Sequence, residues 1–133
     1  MHPLFEKADK LSYDVIGAAV EVHRLLGPGL LESIYERCLC YELETKGFTV
    51  TRQQKINVAY KNLIFEELLR LDLLVEGCLL IELKSVEQVN PIYKAQALSY
   101  MKLLNVPVGL LINFTVQLLT DGVNRLILPR ANL

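Results

Sequence analysis

The chain has 133 residues and a formal net charge of −1, and 52% of its residues are hydrophobic. That length suits one domain around one buried core, with residues 1–133 as a single unit. A charge this near zero excludes a strong non-specific nucleic-acid binder, which carries a basic excess, so any contact with DNA has to be local or metal-assisted.

No uninterrupted apolar run reaches membrane-spanning length, and Met1 to Lys10 lacks the pattern of a signal peptide, so a cytoplasmic location is the expectation. Asp9 or Ser12 can cap a first helix running to about Leu26, with Leu11, Val15, Ala19, Val22 and Leu26 as its apolar stripe. Gly27-Pro28-Gly29 ends it, since the residue before a proline avoids helix and glycine permits the turn. A second helix is expected from roughly Leu30 to Lys46, with Leu31, Ile34, Tyr35, Cys38, Leu39 and Leu43 inward and Gly47 as its stop. Cys38 and Cys40 lie two apart on that helix and do not face each other, so neither a zinc pair nor a disulfide is expected. His23, near the end of the first helix, reads as a packing or capping residue rather than a ligand. Glu32 stands in the first turn of the second helix, where the dipole favours an acid.

Phe48 to Tyr60 reads as a strand, and Lys61-Asn62 turns it into a central hairpin between Leu68 and Lys84. There, two apolar runs flank Glu76-Gly77, a hairpin signal. Each run carries charge where a buried strand should have none: Asp72 in the first, Glu82 and Lys84 in the second. Side chains alternate faces along a strand. Leu69, Leu71, Leu73 and Val75 are therefore expected on one apolar face with Leu79, Ile81 and Leu83. Arg70, Asp72 and Leu74 would share the other with Leu80, Glu82 and Lys84. A two-residue turn would set Asp72 opposite Ile81 and separate the acids. A three-residue loop, Glu76-Gly77-Cys78, or a bulge pairs Val75 with Leu79 and Asp72 with Glu82. The second register is expected. It brings two carboxylates together, unfavourable without a cation and useful with one.

Asn90-Pro91 opens a third helix running to about Leu104, with Tyr93, Gln96, Tyr100 and Leu103 on one stripe. Val108 to Phe114 reads as a buried strand, parallel after the crossover helix, and Asp121-Gly122 turns into a last strand from Val123 to Leu128. The high apolar content and the extra terminal hairpin predict self-association, most simply a two-fold homodimer.

The spacing of Asp72, Glu82 and Lys84 resembles the signature of the PD-(D/E)XK nuclease superfamily, although Leu71 stands where the name has proline. Gln96-Ala97-Leu98-Ser99-Tyr100 resembles the QxxxY element of several nuclease lineages. Gly29-Leu30-Leu31-Glu32-Ser33-Ile34-Tyr35-Glu36, preceded by Leu26-Gly27-Pro28, resembles the opening of the GxxxExxY branch, with one residue fewer between glycine and glutamate. Tyr93 departs from relatives that often have a histidine there.

The resemblance implies an α/β fold with a restriction-endonuclease-like core, a mixed central sheet flanked by helices in the order α-α-β-β-β-α-β-β. It implies hydrolysis of a DNA phosphodiester. Asp72 and Glu82, with Glu32 as a third acid, would hold Mg²⁺ or Mn²⁺, hard cations that favour carboxylate oxygens. Lys84 would position the attacking water or neutralise the transition state, and Gln96 would orient lysine, water or phosphate. Arg70 and Tyr100 would contact substrate. Two other readings stay open: a catalytically inactive nucleic-acid-binding or assembly module on the same fold, and a metal-independent scaffold held by an Asp72–Lys84–Glu82 network.

Overall fold

The computed structural model describes the backbone of residues 1–133 and the side chains at all positions except 66–68. Two helices, α1 (Phe5–Leu26) and α2 (Glu32–Thr45), precede a long hairpin of β1 (Val50–Tyr60) and β2 (Leu63–Val75). Then come β3 (Leu79–Lys84), α3 (Pro91–Leu104) and β4 (Val108–Asn113), and a 3-10 turn (Leu119–Gly122) leads into β5 (Val123–Ile127). The sheet has five strands in the order β1-β2-β3-β4-β5. Only β3 and β4 run parallel, as a strand–helix–strand crossover requires; the other neighbours are antiparallel. This is the mixed α/β, restriction-endonuclease-like arrangement with flanking helices. Among the described residues no helix is long and apolar enough to cross a membrane.

The sheet has an apolar layer on each side. On one, α1 and α2 pack Val15, Ala19, Tyr35, Leu39 and Leu43 against Leu73, Ile81, Leu110 and Ile112. On the other, α3 packs Ala97, Tyr100 and Met101 against Ile56, Leu71 and Leu80. Gly109 makes that second contact tight, because a Cβ there would lie 2.7 Å from Met101 Sδ.

Several sequence expectations need correction. Helix α1 starts at Phe5, so Asp9 and Ser12 lie inside it and cap nothing; the Ser12 hydroxyl donates to the Asp9 carbonyl at 2.6 Å, which satisfies it without ending the helix. Asp9 instead forms an ion pair with Arg125 on β5. Leu26, Leu31, Ile34 and Leu103 are exposed. Leu31 is the N-cap, outside the first turn of α2, and the buried face there runs through Tyr35, Glu36, Leu39, Cys40 and Leu43. His23 packs as expected, beside Phe114 and within 2.8 Å of the Val116 carbonyl.

The hairpin register is the expected one, Val75 opposite Leu79 and Leu73 opposite Ile81. Glu76 (φ 51°) and Gly77 (φ 67°) are both left-handed, and the Cys78 N–H donates to the Val75 carbonyl at 3.0 Å. Glu76 tolerates that conformation because its carboxylate accepts from the Thr49 N–H at 2.7 Å while its own N–H donates to the Thr49 carbonyl.

The expected apolar face, in contrast, breaks at Leu71. Leu73 and Val75 face α1 and α2, whereas Leu71 belongs to the α3 side, with Leu69 packed against it. The cause lies on β1, where pairing passes from Arg52–Leu73 to Gln54–Leu71 around Gln53, whose φ is 51°. A left-handed residue rotates the ribbon locally, as bulges do. Strand β2 therefore changes face at Asp72.

Candidate active site

The last regular rung between β2 and β3 is Leu73–Ile81. At the next position side chains replace the ladder. The Asp72 N–H donates to Glu82 Oε1 at 3.0 Å, and the Leu83 N–H donates to Asp72 Oδ2 at 2.8 Å. Each carboxylate thus takes a backbone donor from the opposite strand, and the strands fork around the two acids. Glu82 is 6% exposed. Burial is the main cause that raises both carboxyls, Asp72 to about 6 and Glu82 to about 8. The charge of Asp72 adds to the effect on Glu82, and those of Glu36 and Glu32 add to the effect on Asp72. Two desolvated acids that repel each other are a site short of positive charge.

A cleft of about 880 Å³ opens beside Asp72, lined by Glu32, Glu36, Gln53, Ser85 and Glu87 among others. Its other wall is the loop between α1 and α2. Tyr35 shapes that loop: its hydroxyl donates to the Gly27 carbonyl at 2.5 Å and accepts from the Leu30 N–H at 3.1 Å. Its ring stacks on Phe114 at 4.3 Å. The Ser85 hydroxyl ties the same loop to the end of β3 through the Leu30 carbonyl and also bonds Thr115 at 2.8 Å. Buried Asn113 holds the chain after β3, donating to the Val86 carbonyl at 2.8 Å and accepting from the Val86 N–H at 3.1 Å. Glu32, the first residue of α2, follows this loop and lines the same cleft as Asp72.

The residues singled out from sequence are only partly assembled. Asp72 and Glu82 meet. Lys84 is near them, but its ammonium lies 4.4 Å from the centroid of the Tyr93 ring. Gln96 is exposed and donates to the Tyr100 hydroxyl at 2.9 Å. Tyr100 is buried, and burial, then the charge of Glu82, raises its hydroxyl. Arg70 is exposed on β2, paired in register with Lys55. Among the described residues no three acids, histidines or cysteines form a ready metal cage.

Sequence reasoning passed over Glu36 and Gln53. Glu36 is 5% exposed, takes Arg52 at 3.0 Å as an ion pair, and accepts from Gln53 Nε2, which also lies 3.4 Å from Asp72 Oδ1. The signal available was the spacing of Glu32 and Glu36, which sets two acids on one helix face. For Gln53 there was none, because its position depends on the left-handed turn in β1.

Residues 9–126 match the family described as the PD-(D/E)XK nuclease superfamily. No curated protein and no solved structure gives a significant match to the chain.

Proposed function

The chain belongs to the PD-(D/E)XK nuclease superfamily, and from that premise we propose that it is a metal-dependent phosphodiesterase acting on DNA, in which Asp72 and Glu82 hold Mg²⁺ or Mn²⁺ and Lys84 assists hydrolysis. The observation that carries the proposal is the reciprocal Asp72–Glu82 arrangement, a half-buried and a buried acid with raised pKa values facing each other across a strand fork. A structural network would bring a cation into contact with them. Here the donor set is all carboxylate oxygen, the kind a hard divalent cation prefers, and Mg²⁺ is often held by one or two carboxylates with water and substrate phosphate completing the shell. Superfamily members generally use divalent metals.

A bound divalent cation would lower the pKa of a coordinated water and offset charge on the phosphoryl oxygens. Asp72 and Glu82 each give one oxygen to a backbone N–H, which orients the other; for Asp72 that other oxygen, Oδ1, also has Gln53 Nε2 at 3.4 Å. Glu32, exposed at the start of α2 just after the loop that Tyr35 and Ser85 tie down, is the proposed third acid, reached through the cleft rather than by direct contact. Lys84 supplies the fixed positive charge beside the reacting phosphate. Gln96 acts through Tyr100, whose hydroxyl it holds on the Glu82 side of the site. Arg70 and Tyr100 are the proposed substrate contacts.

The same proposal reads residues 1–133 as one nuclease-like unit of the GxxxExxY branch, in the cytoplasm and as a homodimer. Exposed Tyr60, Leu63 and Ile64 at the tip of the β1–β2 hairpin are apolar surface suited to self-association, and light scattering at micromolar concentration tests it. A second reading, an inactive nucleic-acid-binding or assembly module, draws on the incomplete metal cage among the described residues. Incubation of supercoiled plasmid with Mg²⁺ or Mn²⁺ separates the two. Nicking that EDTA stops is the expected result, and metal-independent retardation without nicking favours the module.

A further inference from the structure

Lys84 ends β3 and is half-buried, yet among the described residues its ammonium pairs with no carboxylate. The ion pairs found there join Lys7 to Glu76, Arg24 to Glu21, Arg52 to Glu36 and Arg125 to Asp9. An ammonium two residues along the strand from a buried glutamate should be drawn onto it, since opposite charges attract strongly where water is scarce. The Lys84 ammonium instead stands 4.4 Å from the centroid of the Tyr93 ring.

The start of α3 sets that ring in place. Asn90 caps the helix by accepting from the Ile92 N–H at 3.0 Å, Pro91 occupies the first turn, and the Tyr93 N–H donates to the Asn90 carbonyl at 3.0 Å. A ring face carries a negative quadrupole and attracts a cation within about 6 Å of its centroid, without bearing a charge of its own. Lys84 acts on the two carboxyls only at a distance, a lesser influence than their burial.

The geometry points to Tyr93 as a positioning residue whose ring holds the Lys84 ammonium beside the Asp72–Glu82 pair but off it, leaving both carboxylates free for a divalent cation. This rests on the metal-dependent reading of the site. Without the ring, the ammonium can reach the acids, and a cation must then displace an ion pair before it binds.

The test uses the full chain, stripped with EDTA, as wild type, Tyr93→Phe, Tyr93→Leu, Lys84→Met and the Tyr93→Leu/Lys84→Met double variant. Two readouts are needed: the upfield ring-current shift of the Lys84 side-chain methylenes by NMR without metal, and Mn²⁺ affinity by calorimetry. Tyr93→Phe should keep the shift and the affinity. Tyr93→Leu should lose the shift and bind Mn²⁺ about fivefold more weakly, the order of effect a cation–π contact has. The double variant should recover wild-type affinity, because the competing ammonium is gone. Lys84→Met alone, which keeps the ring and removes only the ammonium, should keep Mn²⁺ affinity close to that of wild type, because the ammonium already stands off the pair and is not a metal ligand. Affinity unchanged in Tyr93→Leu, or sharply increased in Lys84→Met, overturns the role of Tyr93 while the metal-dependent reading stands. A wild type that binds no Mn²⁺ overturns that reading, and the inference with it.

Discussion

Asp72 and Glu82 hold each other's strands: the Asp72 N–H donates to the Glu82 carboxylate at 3.0 Å, and one residue beyond Glu82 the Leu83 N–H donates to the Asp72 carboxylate at 2.8 Å. Two acids thus replace a rung of the sheet, and they repel each other once both are ionised. The arrangement is electrostatically costly in the bare protein, and its cost is what the following expectations exploit.

Removing one charge should relieve that repulsion. Asp72→Asn keeps an oxygen for the Leu83 N–H, so without metal its melting temperature should equal or exceed that of wild type. Excess Mn²⁺ should stabilise wild type, by about 2.7 kcal/mol at a hundredfold excess over Kd, and leave the variant nearly unmoved. A structural ion network predicts the reverse, a strongly destabilised variant and no response to metal. Thermal melting of both proteins, with EDTA and with Mn²⁺, decides between them.

The pH dependence has a definite sign. In the folded protein Asp72 titrates near about 6 and Glu82 near about 8, above their ordinary values of 3.8 and 4.5. Acids raised on folding contribute stability that is complete below their unfolded pKa and lost as pH climbs through the folded one. The metal-free protein should therefore become less stable between about pH 4 and about pH 8, the reverse of a salt-bridged acid. Glu82→Gln should flatten most of that slope. Mn²⁺ affinity should move the opposite way and strengthen as pH rises, because the cation binds the ionised pair. Chemical denaturation at pH values across this range, with and without metal, measures both.

Cleavage should divide the two kinds of residue. Asp72→Ala should lose Mn²⁺ binding and nicking together. Lys84→Ala should keep Mn²⁺ binding, since an ammonium is not a metal ligand, and lose on the order of 10² or more in nicking rate, the size seen when a fixed electrostatic group is removed. A Lys84→Ala protein that nicks at the wild-type rate would remove Lys84 from the mechanism.

Tyr35 should matter through the loop it ties. Tyr35→Phe keeps the stack on Phe114 but abandons the Gly27 carbonyl and the Leu30 N–H. A loss of roughly 1–2 kcal/mol of stability is expected for the missing bonds. Hydrogen exchange at the Leu30 amide should quicken more than exchange in the core of α2. Unchanged protection at Leu30 would mean that Ser85 alone secures the loop.

Much of this protein was legible in its residues. Element order, the parallel β3–β4 pair and the odd hairpin register followed from local signals: apolar runs of strand length, Gly-Pro-Gly and Asn-Pro punctuation, and the parity that a three-residue loop imposes. Those signals act over a few residues, so the chain carries them wherever it folds. The meeting of Asp72 and Glu82 belongs with them, because a hairpin is the shortest long-range contact. The gathering of Glu32, Glu36 and Gln53 around one cleft was not legible in this way. It depends on where α2 lies against the sheet and on a left-handed residue in β1 that turns β2 over at Asp72, which sent Leu71 to the opposite layer from Leu73. The resting place of the Lys84 ammonium was likewise decided only in three dimensions. Strand parity sets the side on which a side chain leaves the backbone, but a flexible lysine settles on whichever neighbour the packing of distant elements provides, and here that neighbour is Tyr93 on α3.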